Sequence, residues 1–108
     1  MQEEQETFYF SQSAIQIAFT DILCLESSNN YVLIHVLTRP TPLLERVKMI
    51  KLIEGFPSHL FIKTHRSYYV NKKHIVARPS KYKFELSNGI QLSASRSCVE
   101  NLTGVLGF

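Results

Sequence analysis

The sequence predicts an all-β, β-rich domain: elongated antiparallel β-sheets in a sandwich-like arrangement, with one short helix and a short helix near the C-terminus. Three observations predict it. Apolar and polar residues alternate with period two in several short stretches, the pattern of strands with one buried face. Turn-forming residues interrupt these stretches every ten residues or so, as in small β domains. Between Pro42 and Pro57 lies the one run before the C-terminus with apolar residues at three- and four-residue steps.

Residues 8–11, Phe-Tyr-Phe-Ser, read as a short strand. Ile15, Ile17 and Phe19 then alternate with Gln16 and Ala18, a half-buried strand. Residues 21–26 are nearly continuously apolar, which fits a more buried strand. Ser27, Ser28, Asn29 and Asn30 form a turn or loop by composition. Residues 31–37 are β-branched and aromatic, hence a strand, and Pro40 and Pro42 break it because proline cannot donate to a ladder. Residues 43–47 fit a strand or the start of a helix equally well. Met49, Ile50, Ile53 and Phe56 follow, with Lys48, Lys51 and Glu54 between them, which predicts an amphipathic helix ended by Gly55 and Pro57.

The last hairpin is the most sharply specified element. Tyr82, Phe84 and Leu86 share one face, as do Ile90, Leu92 and Ala94. A two-residue Asn-Gly loop would set Leu86 opposite Gln91. A three-residue loop, Ser87-Asn88-Gly89, sets Leu86 opposite Ile90, Phe84 opposite Leu92 and Tyr82 opposite Ala94, with Gly89 left-handed in a bulge. The second register keeps the apolar side chains together and is the one predicted. Ser95 is placed to cap a short helix on which Val99 and Leu102 would pack.

At 108 residues with 44% apolar residues, the chain has the length of one domain and enough apolar surface for a core. Residues 1–7 read as a flexible acidic lead-in or linker remnant, and 8–108 as the single domain. No apolar run approaches the ~20 residues of a membrane helix, and no signal peptide is visible. Cys24 and Cys98 are the only cysteines, too few for a disulfide scaffold. Cys24, in an apolar run, reads as a buried free thiol, and the expected setting is reducing and cytoplasmic. The net charge of +3 conceals an asymmetry: Glu3, Glu4 and Glu6 sit in the lead-in, while residues 63–96 hold eight Lys or Arg against one acid, Glu85. A basic half fits a polyanionic partner, or simply a solvated basic face.

Candidate chemistry follows from residue types. There is no Gly-rich phosphate loop, no nucleophile elbow and no acidic pair beside a histidine. Cys98 and His65 could be drawn as nucleophile and base, but no third orienting residue stands out, so no enzyme and no catalytic residue is expected. His35, His59, His65 and His74 have no metal-ligand spacing with either cysteine, so neither metal nor cofactor is expected. His35 reads as a satisfied, partly buried ring and His59 as solvated. Nucleic acid remains. Arginine matches guanine, asparagine matches adenine, and histidine donates one bond to purine N7 or to phosphate. Such groups occur at three points: Asn29 and Asn30 in the first tight loop, His65 and Arg66 in the central segment, and Arg96 after the last hairpin. Singly, each has a bland explanation as a turn, a surface cation or a cap.

Their order is more specific. The chain carries Ile22-Leu-Cys-Leu-Glu26, then Asn30-Tyr-Val32, then Phe61-Ile-Lys-Thr-His-Arg-Ser-Tyr-Tyr-Val-Asn71, then Leu86-Ser-Asn-Gly89 and Ser93-Ala-Ser-Arg96. In this order, over roughly residues 20–102, it resembles the LytTR family, the DNA-binding output domains of bacterial transcription regulators, many of them response regulators of two-component systems. The resemblance implies sequence-specific binding of double-stranded DNA, with loops of successive sheets entering neighbouring major grooves on one face of the duplex. It implies base contacts from His65, Arg66 and Arg96, and from the loop of residues 27–31, where Asn29, Asn30 and Tyr31 are all open. By charge and donor type, Lys63, Ser67, Lys72 and Lys73 are expected on phosphates. Asn71 is expected to fix the turn after its strand, and Val70 with Tyr68 or Tyr69 to be core. The family reads direct repeats, so two copies would lie side by side on DNA, as a dimer on the operator. A receiver or membrane sensor domain is the implied partner, making this chain either an output domain or a stand-alone protein. The alternative is a small β module that binds protein or peptide at a strand edge, without nucleic acid.

Overall fold

The computed structural model describes residues 7–9 and 16–100, and there the chain is antiparallel β throughout its sheets. Ten strands form three sheets. Strand β1 (Thr7–Tyr9) pairs with β2 (Gln16–Ala18). The main sheet has the order β5-β4-β3-β7-β6, built from β3 (Ile22–Ser28), β4 (Tyr31–Val36), β5 (Leu43–Glu45), β6 (Phe61–His65) and β7 (Tyr68–Asn71). The third sheet has the order β10-β9-β8, with β8 (Ile75–Ser80), β9 (Lys83–Leu86) and β10 (Gln91–Ser93). Phe10, Ser11, Ile15 and Leu102, which carry parts of the predicted first and second strands and last helix, lie outside the described residues.

The two faces of the main sheet are buried differently. Alternation along β4 sends Val32, Ile34 and Val36 to one face, where they meet Phe19, Ile22, Leu25 and Phe61. Helix α1 (Met49–Leu52) and the tight turn Ile53–Gly55 cover this face. Phe56 stands edge-on to Phe19 and Phe61, with ring centroids 4.9 and 5.1 Å away, a geometry that adds to plain area burial. On the other face Leu23, Cys24 and Val70 meet Leu86, Ile75 and Leu92 of the three-stranded sheet, which gives the sandwich. Phe84, Ala94 and Val99 extend that second core, with Ile62 packed against it.

Helix α1 is shorter than its periodicity predicts. It makes one α-helical turn before tightening, so the three-and-four rule holds only in part: Met49, Ile53 and Phe56 pack, but Ile50 is 72% exposed and Leu52 is buried in its place. One turn is too short for a stripe to develop. Residues 43–47 resolve to a strand that stops at Glu45.

The last hairpin has the predicted register. Leu92 lies opposite Phe84, the Leu86 N–H donates to the Ile90 carbonyl and the Ala94 N–H to that of Tyr82, both at 2.8 Å. Gly89 has φ +89°, and an added Cβ would meet nothing within 4 Å, so conformation rather than space requires glycine. The helix α2 starts at residue 96 and is described as far as residue 100. Its cap is Ser95, whose Oγ accepts the Cys98 N–H at 3.3 Å, and Val99 is buried beneath it.

Candidate nucleic-acid interface

The signature segment is a hairpin. Strands β6 and β7 reverse at Arg66 and Ser67, and His65 lies opposite Tyr68. A bulge between Lys63 and His65 shifts the register just before the turn, and bulges of this kind re-aim the side chains that follow them. The Ser67 N–H donates to His65 Nδ1 at 3.1 Å, which makes that nitrogen an acceptor. In the neutral ring the single hydrogen is then on Nε2, available to donate. Tyr68 flanks the ring, with centroids 5.6 Å apart. Arg66 is exposed and has no carboxylate partner among the described residues.

The β3–β4 hairpin turns at the same end of the sheet. Its last pair is Ser28 with Tyr31, so Asn29 and Asn30 alone form the tip and the predicted loop shrinks to two residues. Asn29 has φ +56°, a conformation that asparagine tolerates better than other non-glycine residues. Glu26 pairs with Tyr68, and the Ser27 N–H donates to the Ser67 carbonyl at 2.8 Å, so the two hairpin ends are joined directly. The first tip projects roughly two residues, ~7 Å, beyond the second.

Arg96 joins from the outer side of β6. The Ser95 N–H donates to the Thr64 carbonyl at 2.8 Å, and this bond holds the start of α2 one residue from His65. Arg96 is exposed at the first position of the helix. Local stability favours an acid there, since the helix N-terminus carries partial positive charge. The cation is thus not explained by the helix it begins.

Three separated stretches of sequence therefore meet along one sheet edge: Asn29, Asn30 and Tyr31, then His65, Arg66 and Ser67, then Arg96. Lys63 lies exposed on β6, two residues from His65. Lys72 and Lys73 do not join them. They follow β7, which runs four residues away from the turn, ~13 Å at strand rise. There the Lys72 N–H donates to the Leu60 carbonyl. One cation that sequence reading passed over does reach the edge: Arg46, immediately after β5, level with Tyr31 because Glu45 pairs with Val32. Only the register of β5 reveals it.

Neighbouring polar residues are structural. Asn71 is fully buried. Its Nδ2 donates to the carbonyls of Ile22 at 3.0 Å and Phe19 at 3.3 Å, and its Oδ1 accepts the Lys73 N–H at 2.9 Å, which fixes the turn as expected. His74 Nε2 donates to the Thr20 carbonyl at 2.6 Å, and its Nδ1 meets Ser87 Oγ at 2.9 Å. His35 Nε2 lies 3.1 Å from Glu26 Oε1, and His59 is exposed. Cys24 is a buried free thiol, its pKa pushed up to about 12 by burial and, secondarily, by the charge of Glu26. Tyr68 is pushed upward by the same causes. Among the described residues no group of His, Cys, Asp or Glu could hold a metal ion, and no helix is long and apolar enough to cross a membrane.

A sequence model of the LytTr DNA-binding domain matches residues 12–107. The chain belongs to the LytTR family. The solved LytTr DNA-binding domain of a protein described as a methyl-accepting/DNA response regulator, from Bacillus cereus, superposes on this LytTR domain with a TM-score of 0.72. The likeness covers 94% of this chain and 95% of that one at 23% identity, which establishes a shared fold. No curated protein matches the chain. Family membership makes this LytTR domain a DNA-binding domain.

Proposed function

We propose that the domain reads the sequence of double-stranded DNA in the major groove, as the output unit of a bacterial transcription regulator in the cytoplasm, without catalysing a reaction. The observation that carries this reading is the alignment of two hairpin tips and the first residue of α2 on one edge, each bearing donors suited to base edges. Arg66 and Arg96 pair with guanine O6 and N7, and His65 donates a single bond through Nε2. At the first tip the backbone already accounts for Asn29, so Asn30 and Tyr31 are the readers. Lys63 and Ser67 bond phosphates beside the central turn. Lys72 and Lys73 meet phosphate only where the duplex reaches past that edge. Two copies on direct repeats, and a receiver or sensor domain governing them, complete the assignment, with residues 8–108 as the reading unit.

Selection from a random duplex library with the purified domain tests the proposal, followed by binding measured from about 50 to 200 mM salt. A reader enriches a defined motif and loses affinity steeply with salt, because each phosphate contact releases counterions. Absence of an enriched motif would defeat the reading. A peptide-binding module, using the open edge of β5 where Leu44 is 54% exposed, would show no DNA affinity at all.

A further inference from the structure

We infer that Arg46 is a fourth contact of this edge, gripping a phosphate at the end opposite Arg96. The inference rests on the DNA-reading proposal and adds a residue to it. Arg46 occupies the apex of a tight turn, closed by the Val47 N–H donating to the Glu45 carbonyl at 3.0 Å. Glu45 before it is buried and Val47 after it packs on the main core. The apex is thus held on both sides, while Arg46 itself is exposed. No described carboxylate forms an ion pair with it. A rigid mount, an exposed guanidinium and a position at the reading end are the features shared by Arg66 and Arg96.

The sheet order decides what Arg46 can touch. β5 is the outermost strand, and three to four inter-strand steps separate it from the β6–β7 turn, about 14–19 Å at ~4.8 Å each. The major groove is only about 12 Å wide. With Arg66 inside one groove, the first tip and Arg46 both lie beyond its wall: Asn30 projects into the neighbouring groove, and Arg46, set back level with Tyr31, meets the sugar-phosphate backbone. A guanidinium there bonds phosphate oxygens in a bidentate fork and carries no sequence information. Arg46 and Arg96 bracket the edge, one just after β5 and the other beyond β6.

The test uses the whole chain and two duplexes, one recovered by library selection and one of unrelated sequence, with binding followed by fluorescence anisotropy between 50 and 200 mM salt. Arg46→Gln should flatten the slope of log affinity against log salt by about 0.9, so that its affinity falls about 3.5-fold less than the wild type's over that range. Both duplexes should weaken together, leaving their ratio unchanged. Arg46→Lys should keep the slope, because it keeps the charge. An unchanged slope in Arg46→Gln, or a loss confined to the selected duplex, would overturn the assignment while leaving the DNA-reading proposal standing. A wild-type chain that discriminates between no duplexes would end both.

Discussion

The two ends of β7 make opposite use of polar residues. At Asn71 a side-chain amide is fully buried and spends its hydrogen bonds on three backbone groups. At the turn before its other end, five residues earlier, Arg66 is exposed beside Ser67, and its guanidinium has no acidic partner among the described residues. Both belong to one short signature, His-Arg-Ser-Tyr-Tyr-Val-Asn. The difference teaches that a compact motif can contain a half that holds the fold and a half left open to solvent. Satisfied donors hold the fold, and unsatisfied, solvated donors on a rigid turn are what a ligand finds.

The sharpest way to break this contrast is Asn71→Ala. It takes a partner from the Ile22 carbonyl and the Lys73 N–H, while the Phe19 carbonyl keeps the Ile22 N–H, and should destabilise the domain by roughly 3 kcal/mol, at about 1–3 kcal/mol for each buried group left unpaired. Denaturant melts measure this. The protein that remains folded should keep its DNA preference, and a changed motif would place Asn71 among the readers. Next in size, Arg66→Ala and Arg96→Ala should each lose about 1–3 kcal/mol on the selected duplex, while their unfolding free energies stay within about 0.5 kcal/mol of wild type. Lowered melting temperatures with unchanged relative affinities would reverse the assignment of either residue.

A smaller effect separates the lysines. Lys63→Ala should weaken all duplexes about equally and flatten the slope of log affinity against log salt by about 0.9. Lys72→Ala should do less, because Lys72 sits at the structural end of β7. Equal losses would mean that the duplex extends along the whole strand. Smallest of all is Asn29→Gly. Glycine reaches the same positive φ without strain, so binding and stability should both stay within about 0.5 kcal/mol. A larger loss of DNA preference in Asn29→Gly would show that its amide is itself a reader.

Much of this was legible in the sequence, for identifiable reasons. The β9–β10 register follows from two apolar alternations that only a three-residue loop can align. The buried thiol of Cys24 follows from its apolar neighbours, and the turn-fixing role of Asn71 from its place at a strand end. Other features depend on chain direction and pairing, which local pattern does not encode. Lys72 and Lys73 neighbour the central turn in sequence, yet β7 carries them away from it. Arg46 lies at least fifteen residues in sequence from the other exposed donors of the edge, and the pairing of Glu45 with Val32 returns it there. Ile50 was misplaced because one helical turn cannot establish a stripe. The site itself, as donors gathered on an edge, depends on how two hairpin ends and the start of α2 align, which no local pattern encodes.

The bonds that align those ends run from backbone to backbone: Ser27 to Ser67, and Ser95 to Thr64. No side-chain substitution removes an amide hydrogen except proline. The platform is therefore indifferent to which letters it displays at positions 30, 66 and 96. Exchanging those letters one at a time should leave the scaffold folded at every intermediate step, whatever surface it then presents.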